Sequence, residues 1–524
     1  MKINTILAQL VLFILLFAPP FASNAQTPCK EVIGYYPGWQ WYDRDKLVNP
    51  ESIDYSKYTI INYAFLYPLE DGTLTITDPW SDKNLLLGAI NWAVAPAGYD
   101  SSYDLGNPDY HHPGTSLIHH AHTNGVDVMI SIGGWTLSND FPAIAADPTK
   151  RSNFAHWCNE LVRIYDIDGI DVDWEYPGYE AHAGTPADIV NYTLLLQEVR
   201  DSLDAIEPVV SKDLLLTAAF GAAPDRMDDI EWDNIIEILD YINLMSYDFF
   251  GAFSPETNHN SPLYEPASGD PTFNTHSAIE RLINDYSVPE EMINMGIAFY
   301  GRTAKTTGPS GLHVPTTGAT DNVTFAADEG SPQYYNILSN MDLFEREWDD
   351  AAKVPYLNGL GGLNTFVSYD DEESIGIKAQ YVVDRYLAGV IIWEITGDYI
   401  ETSPGSGIIA GTPLADTLNL VLCHEPTGDD DDDDDDGGDD GGSSSINEEN
   451  LSEIAIYPNP AHDNIRVITT QKIQSLKICS ATGKEIQTIV DPKEIINVSD
   501  LPIGVYILLI QAENQLIQAK FIKQ

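Results

Sequence analysis

Asp171, Asp173 and Glu175 stand at alternate positions in the segment Asp168-Gly-Ile-Asp-Val-Asp-Trp-Glu175 and carry the strongest chemical signal in the sequence. In an extended strand, residues i, i+2 and i+4 point to one side. The intervening Val172 and Trp174 are apolar, as expected where a strand is backed by helices. Three like charges crowded into a poorly solvated place are costly, and at least one of them must bind a proton. The chemistry suited to such a group is general acid catalysis. Glu175 would be the donor, with Asp171 and Asp173 holding a shared proton that helps keep it protonated. An exposed acidic strand conflicts with the apolar alternate face. A metal site is poorly supported by carboxylates climbing one strand with no histidine nearby. Asp168 falls out of phase with the series and reads as a capping or loop-bonding residue.

Carboxylates of this kind need a frame that turns them inward and opens at one end. Strand-like runs fall at 32–36, 60–65, 126–132, 169–175, 214–220, 241–247, 295–300 and 389–393, mostly separated by helix-length segments. Eight such strands predict an α/β fold, a (β/α)8 barrel, whose active site lies at the C-terminal ends of the strands. Glu175, last of its series, then lies nearest the substrate. Residues 94–115, rich in Tyr, Asp, Gly and Pro, are expected to form a long loop. The interval 303–368 is long enough for an α+β insertion between strands seven and eight, on the face that carries the site.

The segment from Asp168 to Pro177 resembles the D-x-x-D-x-D-x-E signature of glycoside hydrolase family 18, the retaining chitinases. Other strands agree with that resemblance: Ser131-Ile-Gly-Gly134, Met245-Ser-Tyr247-Asp248, Met295-Gly-Ile-Ala-Phe-Tyr300-Gly-Arg302 and Gly389-Val-Ile-Ile-Trp393, over about residues 30–400. The resemblance implies substrate-assisted hydrolysis, in which the N-acetyl group of the sugar replaces an enzymic nucleophile. It also implies roles: Glu175 as acid, Asp173 on the acetamido N–H, Tyr247 on the acetamido oxygen, and Asp171 sharing a proton with Asp173. Tyr35, Phe65, Trp135, Met245, Asp248, Tyr300, Arg302 and Trp393 are expected to bind substrate, with Trp393 flooring the subsite of the distorted sugar. Trp39 and Trp41, like Trp135, are candidate sugar platforms near strand ends. No cofactor and no metal is expected. The histidines at 111, 112, 119, 120 and 122 have irregular spacing and lack matched carboxylates.

Composition narrows the partners. With 80 acidic against 26 basic residues the net charge is −54, so nucleic acid and anionic membranes are unfavourable and an uncharged polymer is not. Residues 1–25 read as a signal peptide: Lys2, an apolar run from Ile6 to Ala18, and the small-residue cleavage site Ser23-Asn-Ala25. Pro19-Pro20 and the shortness of the run argue against a membrane span. The barrel domain is expected over 26–425, read as a monomer. A linker at 426–446 follows, with eight consecutive Asp from 429 to 436 and then Gly and Ser, where charge repulsion favours extension.

Residues 447–524 hold short β-branched runs separated by turn signals and predict a small β-sandwich. Tyr457-Pro-Asn-Pro-Ala461, Leu501-Pro-Ile-Gly-Val-Tyr506 and Lys520-Phe-Ile-Lys523 resemble the C-terminal sorting domain of the type IX secretion system of Bacteroidetes. That resemblance implies the type IX machinery as a partner and a secreted or surface-attached product. Cys29 and Cys423 bracket the main domain and are candidates for a disulfide across adjacent termini; no pair has C-x-x-C spacing. The reading of a chitinase competes with two others. One is an endo-β-N-acetylglucosaminidase on N-glycans, which usually lacks such an insertion. The other is a non-catalytic chitin-binding lectin, which typically lacks the Glu.

Overall fold

The structure is a computed structural model that describes residues 30–423 continuously and, from 455 to 523, seven strands with part of the residues that join them. The expected signal segment, the acidic linker and Cys29 lie outside the described residues.

Eight parallel strands close on themselves: β1 (Glu31–Pro37), β2 (Ile60–Pro68), β3 (Asp127–Gly133), β4 (Gly169–Asp173), β5 (Leu215–Gly221), β6 (Tyr241–Met245), β7 (Ile293–Ala298) and, after an insertion, β12 (Gly389–Trp393). Each pairs with the next in sequence order, and β1 pairs with both β2 and β12, which closes the barrel. Helices cover the outside, among them α1 (Leu117–Thr123), α2 (Pro148–Tyr165), α3 (Asp188–Val210) and α4 (Thr275–Asn284). The side-chain period of two divides each strand between two cores. Outward residues such as Ile130, Val172, Leu216 and Ile242 pack with Phe154, Leu161, Leu195 and Leu203 of the helices. Inward residues form a smaller cluster of Ile33, Tyr35, Ile60, Ala64, Phe65, Met129 and Ile391. The alternation expected around the carboxylates is present: Val172 and Trp174 are buried on the outer side, with Trp174 stacked 5.3 Å from Phe141.

Between β7 and β12 the chain builds the expected insertion. Strands β8 (Arg302–Lys305), β9 (Phe344–Asp349), β10 (Val354–Gly359) and β11 (Thr365–Ser368) form an antiparallel sheet in the order β8-β11-β10-β9, with the short helix α5 (Tyr334–Ser339) before it closes. Helix α6 (Glu372–Asp384) then returns to the barrel, capped by Asp371 in a reciprocal box with Ser374. Helix α7 (Pro413–Leu422) ends beside the start of the described chain, where Lys30 N donates to Leu422 O at 3.1 Å. Cys423, next in sequence, is disulfide-bonded, whereas Cys158 is free and buried.

The C-terminal strands are β13 (Ala455–Tyr457), β14 (Asn464–Ile468), β15 (Ile473–Ser480), β16 (Glu485–Val490), β17 (Ile495–Asn497), β18 (Gly504–Ala512) and β19 (Leu516–Lys523). They form a three-stranded and a four-stranded antiparallel sheet around one core that includes Ile465, Leu476, Ile478, Leu508, Ile510 and Phe521. This is the all-β sandwich expected from the turn spacing. Among the described residues, no helix is long and apolar enough to cross a membrane.

Candidate active site

The C-terminal ends of the strands surround a cleft of about 1020 Å³. Its lining includes Tyr35, Phe65, Trp135, Met245, Asp248, Arg302 and Trp393 from the expected set, together with Asp173, Glu175 and Tyr247. Cis peptide bonds occur at Ala64–Phe65, within β2, at Glu175–Tyr176, just past β4, and at Trp393–Glu394, at the end of β12.

The acidic series enters the cleft from below. Asp171 is fully buried and accepts four hydrogen bonds from four other strands: Tyr35 Oη at 2.9 Å, Ser131 Oγ at 2.7 Å, Thr217 Oγ1 at 2.6 Å and Asn243 Nδ2 at 3.1 Å. Burial raises its pKa, and the donors oppose the rise by stabilising the ionised form. Asp173 lacks such support. Burial first, then the charges of Glu175 and Asp171, hold its carboxyl well above the ordinary range, and its Oδ1 is buried without a hydrogen-bond partner. Burial likewise lifts Glu175 to about 7, against the Tyr176 hydroxyl that favours the charged form. Three carboxyls of one type thus occupy three environments, and the two upper ones are biased toward the protonated state near neutrality.

One local detail differs from the strand reading. Regular pairing of β4 stops at Asp173, and Glu175 stands two residues beyond it. The reason is a change of partners. Asp173 O accepts from Gly134 N at 2.7 Å, but Glu175 N turns to the hydroxyl of Ser138 at 2.9 Å rather than to a neighbouring strand. Close approach of β3 to β4 depends on glycine here: a Cβ on Gly133, at φ +112°, would lie 2.2 Å from Asp173 O. One on Gly134, at φ +86°, would lie 2.7 Å from the Phe65 ring.

Opposite the acids, Asp248 adopts φ +60° and receives two bonds from Arg302, Nε at 2.7 Å and Nη2 at 2.6 Å. Tyr300 Oη donates to the same carboxylate at 2.6 Å and packs edge-on against Tyr247 at 6.2 Å. Tyr300 and Asp171 therefore lie behind the wall and touch the cleft through neighbours. Trp393 stacks on Phe65 at 5.6 Å and meets Tyr35 and Trp39 at 5.7 and 6.3 Å, making an aromatic floor. Trp39 and Trp135 are half exposed on the rim, at 50% and 51%. Trp41 is not among the lining residues; Lys46 Nζ sits 3.4 Å from the centre of its ring.

Asp168 sits at the opposite end of β4 from Glu175. It accepts from Val128 N and Lys212 Nζ, both at 2.9 Å, and contacts His122 Nε2 at 2.6 Å, a loop-bonding arrangement remote from the cleft. His111 is bound to Tyr99 and to the Gly88 carbonyl.

The motif reading missed Tyr176, Tyr179, Arg226, Phe253 and Phe273, which also line the cleft. Tyr176 and Tyr179 follow the acidic motif closely and were within reach of a reading that extended the motif into its loop. Arg226 comes from the short helical turn Pro224–Met227 after β5, and Phe253 and Phe273 from the long loop after β6; none has a sequence signature.

Comparison with known proteins agrees with this geometry. Residues 31–398 match the family of glycosyl hydrolases family 18, and residues 455–524 match the secretion system C-terminal sorting domain. Chitinase A1 of Niallia circulans is 33% identical over 442 residues, covering 75% of this chain and 60% of that protein. Chitinase ChiA of Flavobacterium johnsoniae is 30% identical over 476 residues, covering 76% of this chain and 28% of that protein. The chain thus spans less than two thirds of the length of both. Among solved structures, chitinase ChiA74 from Bacillus thuringiensis superposes with a TM-score of 0.64 at 27% identity, covering 95% of this chain and 85% of its own. The Group IV chitinase of Ostrinia furnacalis in complex with allosamidin gives 0.62 at 26%, covering 75% and 98%.

Proposed function

Since the chain belongs to glycosyl hydrolases family 18 and carries a secretion sorting domain, we propose that it is an exported chitinase that cleaves β-1,4 linkages between N-acetylglucosamine units with retention. The observation that carries this reading is the half-buried Glu175 carboxyl in the cleft, lifted to about 7, beside Asp173 whose Oδ1 has no partner among the described residues. Glu175 protonates the glycosidic oxygen as the C1–O bond breaks. The carbonyl oxygen of the substrate's own acetamido group bonds to C1 and gives an oxazolinium ion. Asp173 accepts the acetamido N–H with its orphaned oxygen and offsets the positive charge. Tyr247 donates to the acetamido oxygen. Water then attacks C1, its proton passes to the Glu175 carboxylate, and the configuration is retained. As the acetamido group binds, the proton that Asp173 shares with Asp171 shifts to Asp171, so that Asp173 meets the oxazolinium ion ionised.

The aromatic floor fits a neutral sugar chain, whose apolar ring faces stack on Trp393 and the rim tryptophans. The barrel is the proposed catalytic domain over 26–425, including the 303–368 insertion, which contributes none of the residues that line the cleft, with the 426–446 segment as linker and 447–524 as the sorting domain read by type IX machinery. Glu175→Gln is expected to lower kcat/KM on N-acetylglucosamine oligomers by about 10²–10⁴-fold while oligomer binding persists. Turnover near that of the unmodified protein would sink the assignment. Faster release from a high-mannose glycoprotein than from colloidal chitin would favour the N-glycan reading.

A further inference from the structure

The main-chain groups of Glu175 are gripped from two sides by side chains outside its strand. Ser138 Oγ accepts from Glu175 N at 2.9 Å and donates to Gly134 O, also at 2.9 Å. On the other side His182 Nδ1 lies 2.6 Å from Glu175 O. Because the acceptor is a carbonyl, the proton on that bond belongs to Nδ1. The same imidazole packs against Trp135, with centroids 4.7 Å apart at 63°, and against Tyr179 at 5.1 Å. Trp135 meets Tyr179 at 5.8 Å and Tyr176 at 6.4 Å. The guanidinium of Arg226 lies 4.6 Å from the Tyr179 ring centre. His182 itself is half-buried and is not among the lining residues of the cleft.

These contacts give His182 a geometry no other described side chain has: one nitrogen on the peptide of Glu175 and the ring in edge-type contact with the tryptophan of the rim. Past Asp173 the chain no longer has sheet pairing to hold it, so the placement of Glu175 depends on such side-chain bonds to its main chain, together with the bonds its carboxyl takes from Tyr176 and the Trp135 backbone. A proton donor must sit within a fraction of an ångström of its target, and a displacement of about 1 Å can cost 10²-fold.

We propose that His182 is a positioning residue that couples the Glu175 carboxyl to the Trp135 platform. It fixes where the proton is delivered relative to the sugar seated on that side of the cleft. The inference rests on Glu175 being the acid. His182 does not touch substrate, and no step routes a proton through it.

The two halves of the device separate by substitution in the full-length protein. His182→Phe keeps a ring against Trp135 and removes the donor. His182→Asn places an amide nitrogen where Nδ1 stands and removes the ring. With the N-acetylglucosamine hexamer as substrate, His182→Phe is expected to lower kcat about tenfold with KM within about twofold. His182→Asn is expected to recover kcat to within about threefold of the unmodified protein, with KM raised about fivefold through the loosened Trp135. An unchanged kcat in His182→Phe overturns the proposal. So do equal kcat losses in both variants, which would mark a general packing role. Glu175→Gln, run alongside, separates the two claims. If it keeps turnover, the assignment of the acid fails. If it is inactive while His182→Phe is unimpaired, only the coupling fails.

Discussion

Glu175 and Asp173 have the same chemistry as the solvated carboxylates of the surface and differ from them in surroundings alone. Burial is the first cause of both raised pKa values, and their mutual repulsion adds to that of Asp173. The sign of the consequence follows. An acid catalyst works in its protonated form, which predominates for Glu175 below about 7. On neutral oligomers kcat/KM should therefore fall as pH rises through about 7, approaching tenfold per unit above it. A pH profile measured from 4 to 9 checks this. The limb belongs to the coupled pair, so Asp173→Asn should move it as well as lower the rate. A profile flat to pH 9 would contradict the proton assignment.

Among the elements, the loop after β6 is held by a chain of buried hydrogen bonds. Ser246 O accepts from Ser261 Oγ at 2.8 Å, and Asp248 N donates to Asn260 at 3.1 Å, so the segment carrying Tyr247 and Asp248 is held by residues 260–261. Those residues are fixed in turn by α6. Lys378 Nζ, fully buried, donates to Ser261 O at 2.6 Å and to both oxygens of Asp370 at 2.7 and 2.8 Å. Burial lowers the pKa of Lys378, and the Asp370 carboxylate acts against that. Removing one member of a buried pair strands the other, so Lys378→Ala should destabilise by about 3–5 kcal/mol in denaturant unfolding. A loss below about 1 kcal/mol would mean that water already screens the pair.

Among the described residues several buried or half-buried carboxyls have a folded pKa above the unfolded one. Glu372 and Glu394 are raised to about 7 by burial, as Glu175 is. A group of this kind binds more protons folded than unfolded between about 4.3 and its folded pKa. Its contribution is therefore complete at low pH and lost as pH rises through about 7. Asp321 and Asp349, lowered to about 2, act oppositely but only below the usual carboxylate range. Net repulsion from a charge of −54 works in the same direction as the raised carboxyls. Calorimetry should show Tm higher at pH 5.5 than at pH 8, by roughly 5 °C. A Tm that climbs with pH over this interval would contradict it.

The sequence by itself determined the architecture and the phase of the acidic series proposed as catalytic. Alternation at Asp171, Asp173 and Glu175 is a local property of an extended chain, and eight apolar runs with helix-length spacing leave few folds open. The insertion and the C-terminal sandwich were legible for the same reason, since length and turn chemistry are local. Tertiary structure decided what spacing cannot carry. It gave Asp171 four donors from four strands and Asp173 a bare oxygen, which separates two residues that look alike in the motif. It excluded Trp41 from the cleft, moved Tyr300 behind Asp248, and brought Arg226 and Phe273 to the lining from the segments that follow β5 and β6. It also set His182 against Glu175, because a contact made by a loop depends on how the loop folds back and leaves no period in the chain.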